Sequence, residues 1–110
     1  MEIYHVDDTG PPIDWLLKRD DEVVDPSTAT AIVVKVRIKG ESSVKFTRTL
    51  ALGTVSVVED DDGNNRIRCT FAAGNLDTAG TYQAQAVLTW PSFGETSPDP
   101  HEFQVAEAWS

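Results

Sequence analysis

Apolar and polar residues alternate with a period of two along almost all of this 110-residue chain, and with a period of 3.6 almost nowhere. Successive side chains of a strand point to opposite faces, so this pattern builds half-buried sheets and not helices. Residues 30–39 show it best: Ile32, Val34, Val36 and Ile38 fall on one face, Lys35, Arg37 and Lys39 on the other. β-Branched side chains at the inward positions suit a pleated surface packed on one side.

The same reading extends along the chain. In residues 44–52, Val44, Phe46, Leu50 and Leu52 share a phase, and Arg48 interrupts it. Arg48 is therefore expected near a sheet edge or paired with a carboxylate. Gly53 breaks the run, and residues 54–59 are read as its short continuation. Residues 60–65, Asp-Asp-Asp-Gly-Asn-Asn, read as a hairpin tip, because Asp, Asn and Gly tolerate positive φ. Residues 66–71 turn Ile67, Cys69 and Phe71 inward and Arg66, Arg68 and Thr70 outward. Residues 81–90 place Tyr82, Ala84, Ala86, Leu88 and Trp90 on one side, and Pro91 to Gly94 then reverse the chain. Residues 101–106 form the last strand, with Phe103 and Val105 inward. The first quarter is less regular: residues 3–6 and 13–18 read as strands, Asp20-Asp21-Glu22 as a turn, and Val23-Val24 as a brief pairing. About seven short strands with regular turn signals predict an all-β antiparallel sandwich, one domain over residues 1–110.

Residues 76–84, Leu-Asp-Thr-Ala-Gly-Thr-Tyr-Gln-Ala, resemble the tyrosine corner of immunoglobulin-like domains, in which a tyrosine hydroxyl bonds back to the backbone at a strand entry. Tyr82, Gly80 and Asp77 are its structural residues. Asp77 stands one residue further from the tyrosine than in antibody-type domains, and Ala84 occupies the position of their disulfide cysteine. With Asp8-Thr9-Gly10-Pro11-Pro12, Val23-Val24-Asp25, Ser27-Thr28-Ala29 and the late Thr96-Ser97-Pro98, the chain resembles the N-terminal domain of phage baseplate upper proteins. Pro26 replaces that family's usual leucine. The resemblance runs from about Asp8 to Val105 and implies an immunoglobulin-like sandwich that serves as a virion piece. The expected partners are other virion proteins, with the domain homo-oligomeric or present in many copies.

Composition narrows the function further. A net charge of −9 repels phosphate backbones, so nucleic acid is not an expected partner. The charge serves solubility, or else docking onto a basic surface or binding a cation. One cysteine, Cys69, permits no intrachain disulfide; in phase with Ile67 and Phe71, it reads as a small buried hydrophobe. The N-terminal residues have no basic region and no apolar run of signal length, which predicts synthesis in the host cytoplasm; a place in the virion is what the family resemblance implies. No stretch approaches the roughly 18 apolar residues of a membrane span.

No cofactor, metal or catalytic group is expected. An EF-hand centred on Gly63 fails because Val58 holds its first ligand position and Cys69 the glutamate's. His5 and His101, with no cysteine beside them, make a poor zinc site and are expected at the surface or an edge. Phosphate loops, His-Glu-x-x-His and serine elbows are missing from the sequence, so the reading is non-enzymatic. Trp15 and Trp90 are expected in the core. Phe93 at a hairpin tip and Trp109 near the end of the chain are candidate partner-binding residues together with Trp90, since interface centres use aromatics. Trp109 has the alternative of folding back onto the sandwich. The expectation is a tail or baseplate component or a head decoration protein; the alternative is a carbohydrate-binding module that attaches the particle to a cell.

Overall fold

The segment with the strictest alternation forms an interior strand of the larger of two packed sheets. The computed structural model describes residues 2–91 and 94–107, with Thr96 by its backbone alone. Its strands are β1 (Ile3–His5), β2 (Ile13–Trp15), β3 (Lys18–Arg19), β4 (Glu22–Val23), β5 (Ala31–Ile38), β6 (Phe46–Thr49), β7 (Val55–Glu59), β8 (Asn65–Cys69), β9 (Gly80–Trp90), β10 (Gly94–Thr96) and β11 (His101–Ala106). The large sheet runs β1-β11-β9-β5-β6, with β10 paired to the end of β9. The small sheet runs β2-β8-β7, and β3 with β4 makes a separate ribbon. The described residues contain no helix, and the fold is an all-β sandwich.

The inner faces meet in one apolar cluster. Ile32, Val34 and Val36 of β5, Tyr82, Ala84, Ala86 and Leu88 of β9, and Phe103 and Val105 of β11 come from the large sheet. Ile13, Trp15, Val55, Ile67 and Cys69 face them from the small one. Every residue of these two sets is buried, as the period-two reading requires, because a one-residue slip would expose a strand's whole apolar set. Ile38, at the end of β5, and Trp90, at the end of β9, pack against the cluster while half-buried. Phe71, just beyond β8, ties the layers together: its ring meets Tyr4 at 5.2 Å, Phe103 at 5.7 Å and Phe46 at 6.1 Å between centroids.

Several local expectations change. The sheet is not wholly antiparallel, because β1 pairs with β11 in parallel, Tyr4 opposite Val105. Two strands at the two ends of a chain need no tight turn between them, so either direction is open to them. Residues 44–52 keep only four residues as strand. Val44 and Leu52, expected inward, are 48% and 79% exposed, because they lie in the turns flanking β6. Residues 54–59 do not continue β6 but cross to the small sheet as β7. The crossing is held by Thr54, whose hydroxyl accepts the Thr49 N–H at 2.9 Å. Residues 13–18 divide between β2 and β3, and the short β10 was not anticipated. Arg48 does sit on an edge strand, but its partner is the carboxamide oxygen of Asn75 and not a carboxylate, with the guanidinium 5.7 Å from the Phe46 ring centre.

The acidic turns follow their residues' chemistry. Asp20 and Asp21 close the two-residue β3–β4 hairpin with φ of 52° and 68°, the paired positive values that such a turn demands. At residues 60–65, Asp60 organises the tip: one carboxylate oxygen accepts the N–H groups of Asp62 and Asn64, and the other accepts Arg66 Nε at 2.8 Å. The hydrogen bond from Arg66, followed by that from the Asn64 backbone, holds the Asp60 carboxyl below its ordinary range.

Candidate interaction surfaces

The tyrosine corner is built as its residues suggest. Tyr82 enters β9 fully buried, and its hydroxyl donates to the Thr78 carbonyl at 2.7 Å. Gly80 opens the strand with φ of +152°, outside the range L side chains readily adopt. Asp77 closes the corner from outside, accepting hydrogen bonds from Lys45 Nζ and, at 3.0 Å, from the Thr78 hydroxyl. The Lys45 bond is the main reason the Asp77 carboxyl lies below its ordinary range. Removing the Tyr82 hydroxyl as Tyr82→Phe is expected to cost about 0.5–1.5 kcal/mol, the net value of one such bond. Urea denaturation checks this, and a variant as stable as the parent would show that the bond contributes nothing.

Of the candidate partner-binding aromatics, Trp90 alone is among the described residues. Phe93 and Trp109 lie outside the described residues. Trp90 ends β9 opposite Gly94, half-buried against the core, and its indole N–H donates to the Thr28 hydroxyl at 3.0 Å. That bond ties the hairpin end to the segment entering β5 and fixes the indole plane.

The other singled-out groups fall elsewhere. Burial pushes the Cys69 thiol up to about 11, which keeps it protonated at neutral pH. His5 is exposed on β1, whereas His101 is half-buried and stacks on Trp15, ring centres 5.2 Å apart and planes within 8°. The other side of that histidine meets Glu2, Nε2 to Oε1 at 2.8 Å. The two histidines are thus not brought together on one site. Among the described residues, no group of three or more His, Cys, Asp or Glu side chains could hold a metal ion.

A surface that was not singled out as a site in the sequence lies on the outer face of the large sheet. The outward side chains of β5 and β9 pair across the strands, Lys35 beside Gln85 and Arg37 beside Gln83, and floor an open groove of about 120 Å³. Ser42 and Val44 of the β5–β6 turn wall one side, and Pro100 before β11 walls the other. Arg37 Nε donates to Gln83 Oε1 at 3.1 Å, and Gln83 Nε2 donates to Glu102 at 3.0 Å. Glu102 also meets Lys39 at 3.2 Å; these two donors, Gln83 first, hold its carboxyl below the ordinary range. Val44, which the alternation assigned to the core, is one of this groove's walls. The signal that could have found the groove was the outward row Lys35, Arg37, Lys39 in a chain of net charge −9. A search against protein-family models finds no match to the chain, and a search of curated proteins finds none.

Proposed function

We propose that the chain is a non-enzymatic, immunoglobulin-like module of a tailed-phage particle, a tail or baseplate component or a head decoration protein. It works by binding other virion proteins and is present in many copies. The observation that carries the reading is the corner: Tyr82 bonds the Thr78 carbonyl within the stretch on which the family resemblance partly rests. The buried, protonated Cys69 and the turn-bound Asp60 add support, since both are occupied by structural tasks.

On this reading the contact surface is the hairpin end, Trp90 with Phe93, together with Trp109. Phe93→Ala combined with Trp109→Ala is expected to leave the domain folded and to prevent its capture with particles. Hot-spot truncations typically cost about 2 kcal/mol or more, which a particle pull-down resolves readily. A double variant incorporated as well as the parent would move the contact surface elsewhere. Saturable binding of the parent to one glycan on an array would replace the reading with the carbohydrate-binding one.

A further inference from the structure

We infer that the groove on the outer face of the large sheet binds an extended, acidic polypeptide segment of a partner protein, its carboxylates at alternate positions. The charge distribution is the first ground. Lys35 and Arg37 stand on the outward row of β5 and line the groove, and among the described residues the lining contains no carboxylate; Glu102 borders it through Gln83 and is already paired with Lys39, just beyond the strand. Lys35 has no partner among the described residues. Arg37 has engaged only Nε, leaving its terminal N–H groups to donate to a planar carboxylate in the paired fashion guanidinium favours.

Spacing is the second ground. Lys35 and Arg37 are two residues apart on one strand, so their side chains leave the sheet roughly 6.6 Å apart. Alternate residues of an extended partner repeat at the same interval, so two glutamates of such a segment meet both cations in one register. The amide of Gln85, beside Lys35 on the neighbouring strand β9, can bond the partner's backbone and side chains, while that of Gln83 is held between Arg37 and Glu102. The walls supply the apolar part: Val44 is half exposed, has no core contact to make, and stands across the floor from Pro100. Among the described residues no aromatic side chain lines the groove to offer the apolar face of a sugar ring a platform, and a polypeptide suits it better than an anionic glycan. The overall negative charge slows the approach of such a partner. At physiological salt, however, it is screened over about 8 Å, and the contact itself is decided by the local cations.

The test uses the full chain labelled with ¹⁵N. It is titrated with a blocked Gly-Glu-Val-Glu-Val-Glu-Gly peptide, with a peptide of the same composition whose glutamates are consecutive, and with oligogalacturonate. The alternating peptide is expected to move the amide resonances of Lys35, Arg37, Val44, Gln83 and Gln85, and to bind more tightly than the consecutive one. Lys35→Gln with Arg37→Gln, both at exposed positions, is expected to weaken it about tenfold or more while leaving the rest of the spectrum in place. If that double variant proves unfolded, Lys35→Gln alone serves, with a smaller loss in the same direction. Binding unchanged by the substitution, or shifts away from the groove, would overturn the assignment. So would oligogalacturonate binding as tightly as the peptide, which makes the site a general anion site. Concentration-dependent shifts of the same amides without peptide would make the occupant a second copy of this chain. The inference does not depend on the phage reading, and the Phe93 and Trp109 variant reports on a different surface, so the two can fail separately.

Discussion

Phe103→Ala is expected to destabilise the domain by about 3–5 kcal/mol, the range for removing a fully buried phenylalanine from a core that cannot close over the gap. Phe103 is wholly buried in β11, a strand hydrogen-bonded on both sides, by β9 and β1, so its backbone has little freedom to collapse inward. Its ring meets Tyr82 at 5.4 Å and both Tyr4 and Phe71 at 5.7 Å, and each such aromatic contact adds to the simple burial of area. Tyr4 is held in the same cluster, and burial is the main reason its hydroxyl is pushed up to about 12. Losing this ring therefore loosens both the centre of the core and the seat of the N-terminal strand. Domains of this size have roughly 5–15 kcal/mol of stability, so the loss is a substantial part of the total and lowers both the thermal and the urea midpoint. Thermal and urea unfolding measure it. A loss below about 1 kcal/mol would mean that β11 does not pack as described.

Gly80→Val is the second large effect, expected to cost about 1–3 kcal/mol through the backbone alone. The φ of +152° at the entry to β9 is one that L side chains rarely adopt, and β-branching makes the conflict worse. Space is not the obstacle. A Cβ built at this position lies 3.5 Å from Ile38 Cγ2, an ordinary contact. Gly80→Ala therefore isolates the conformational part, and its loss is expected to fall between that of Tyr82→Phe and that of Gly80→Val. If the valine variant proves no less stable than Tyr82→Phe, the corner is held by its hydrogen bond and not by its backbone. Equilibrium unfolding of the three variants gives the order directly.

The inward faces of β5, β8, β9 and β11 were legible from alternation alone, because burial on one side of a pleated strand imposes a period of two on the residues. The hairpins at residues 20–21 and 60–65 were legible too, since positive φ selects Asp, Asn and Gly. The tyrosine corner was read from the resemblance of residues 76–84 to immunoglobulin-like domains, and it could be carried by so short a stretch because the hydroxyl and the carbonyl it joins are only four residues apart. Phe93, expected at a hairpin tip, and Trp109, near the end of the sequence, were singled out only as aromatics the core did not obviously need, and both lie outside the described residues. What alternation could not decide was which sheet each strand joins. Residues 54–59 carry the same pattern whether they extend β6 or cross to the small sheet, and only packing against β8 chose the second. Nor could it decide the direction of β1, because pairing between the ends of a chain is set by where the rest of the fold leaves them. Val44 shows the limit most clearly. Its apolar side chain and phase match a core position, yet β6 begins two residues later, and the tertiary structure leaves it on the rim of the groove. A groove is made by elements distant in sequence, here the β5–β6 turn and the loop before β11, whose nearness is a property of the assembled sandwich and not of any one segment.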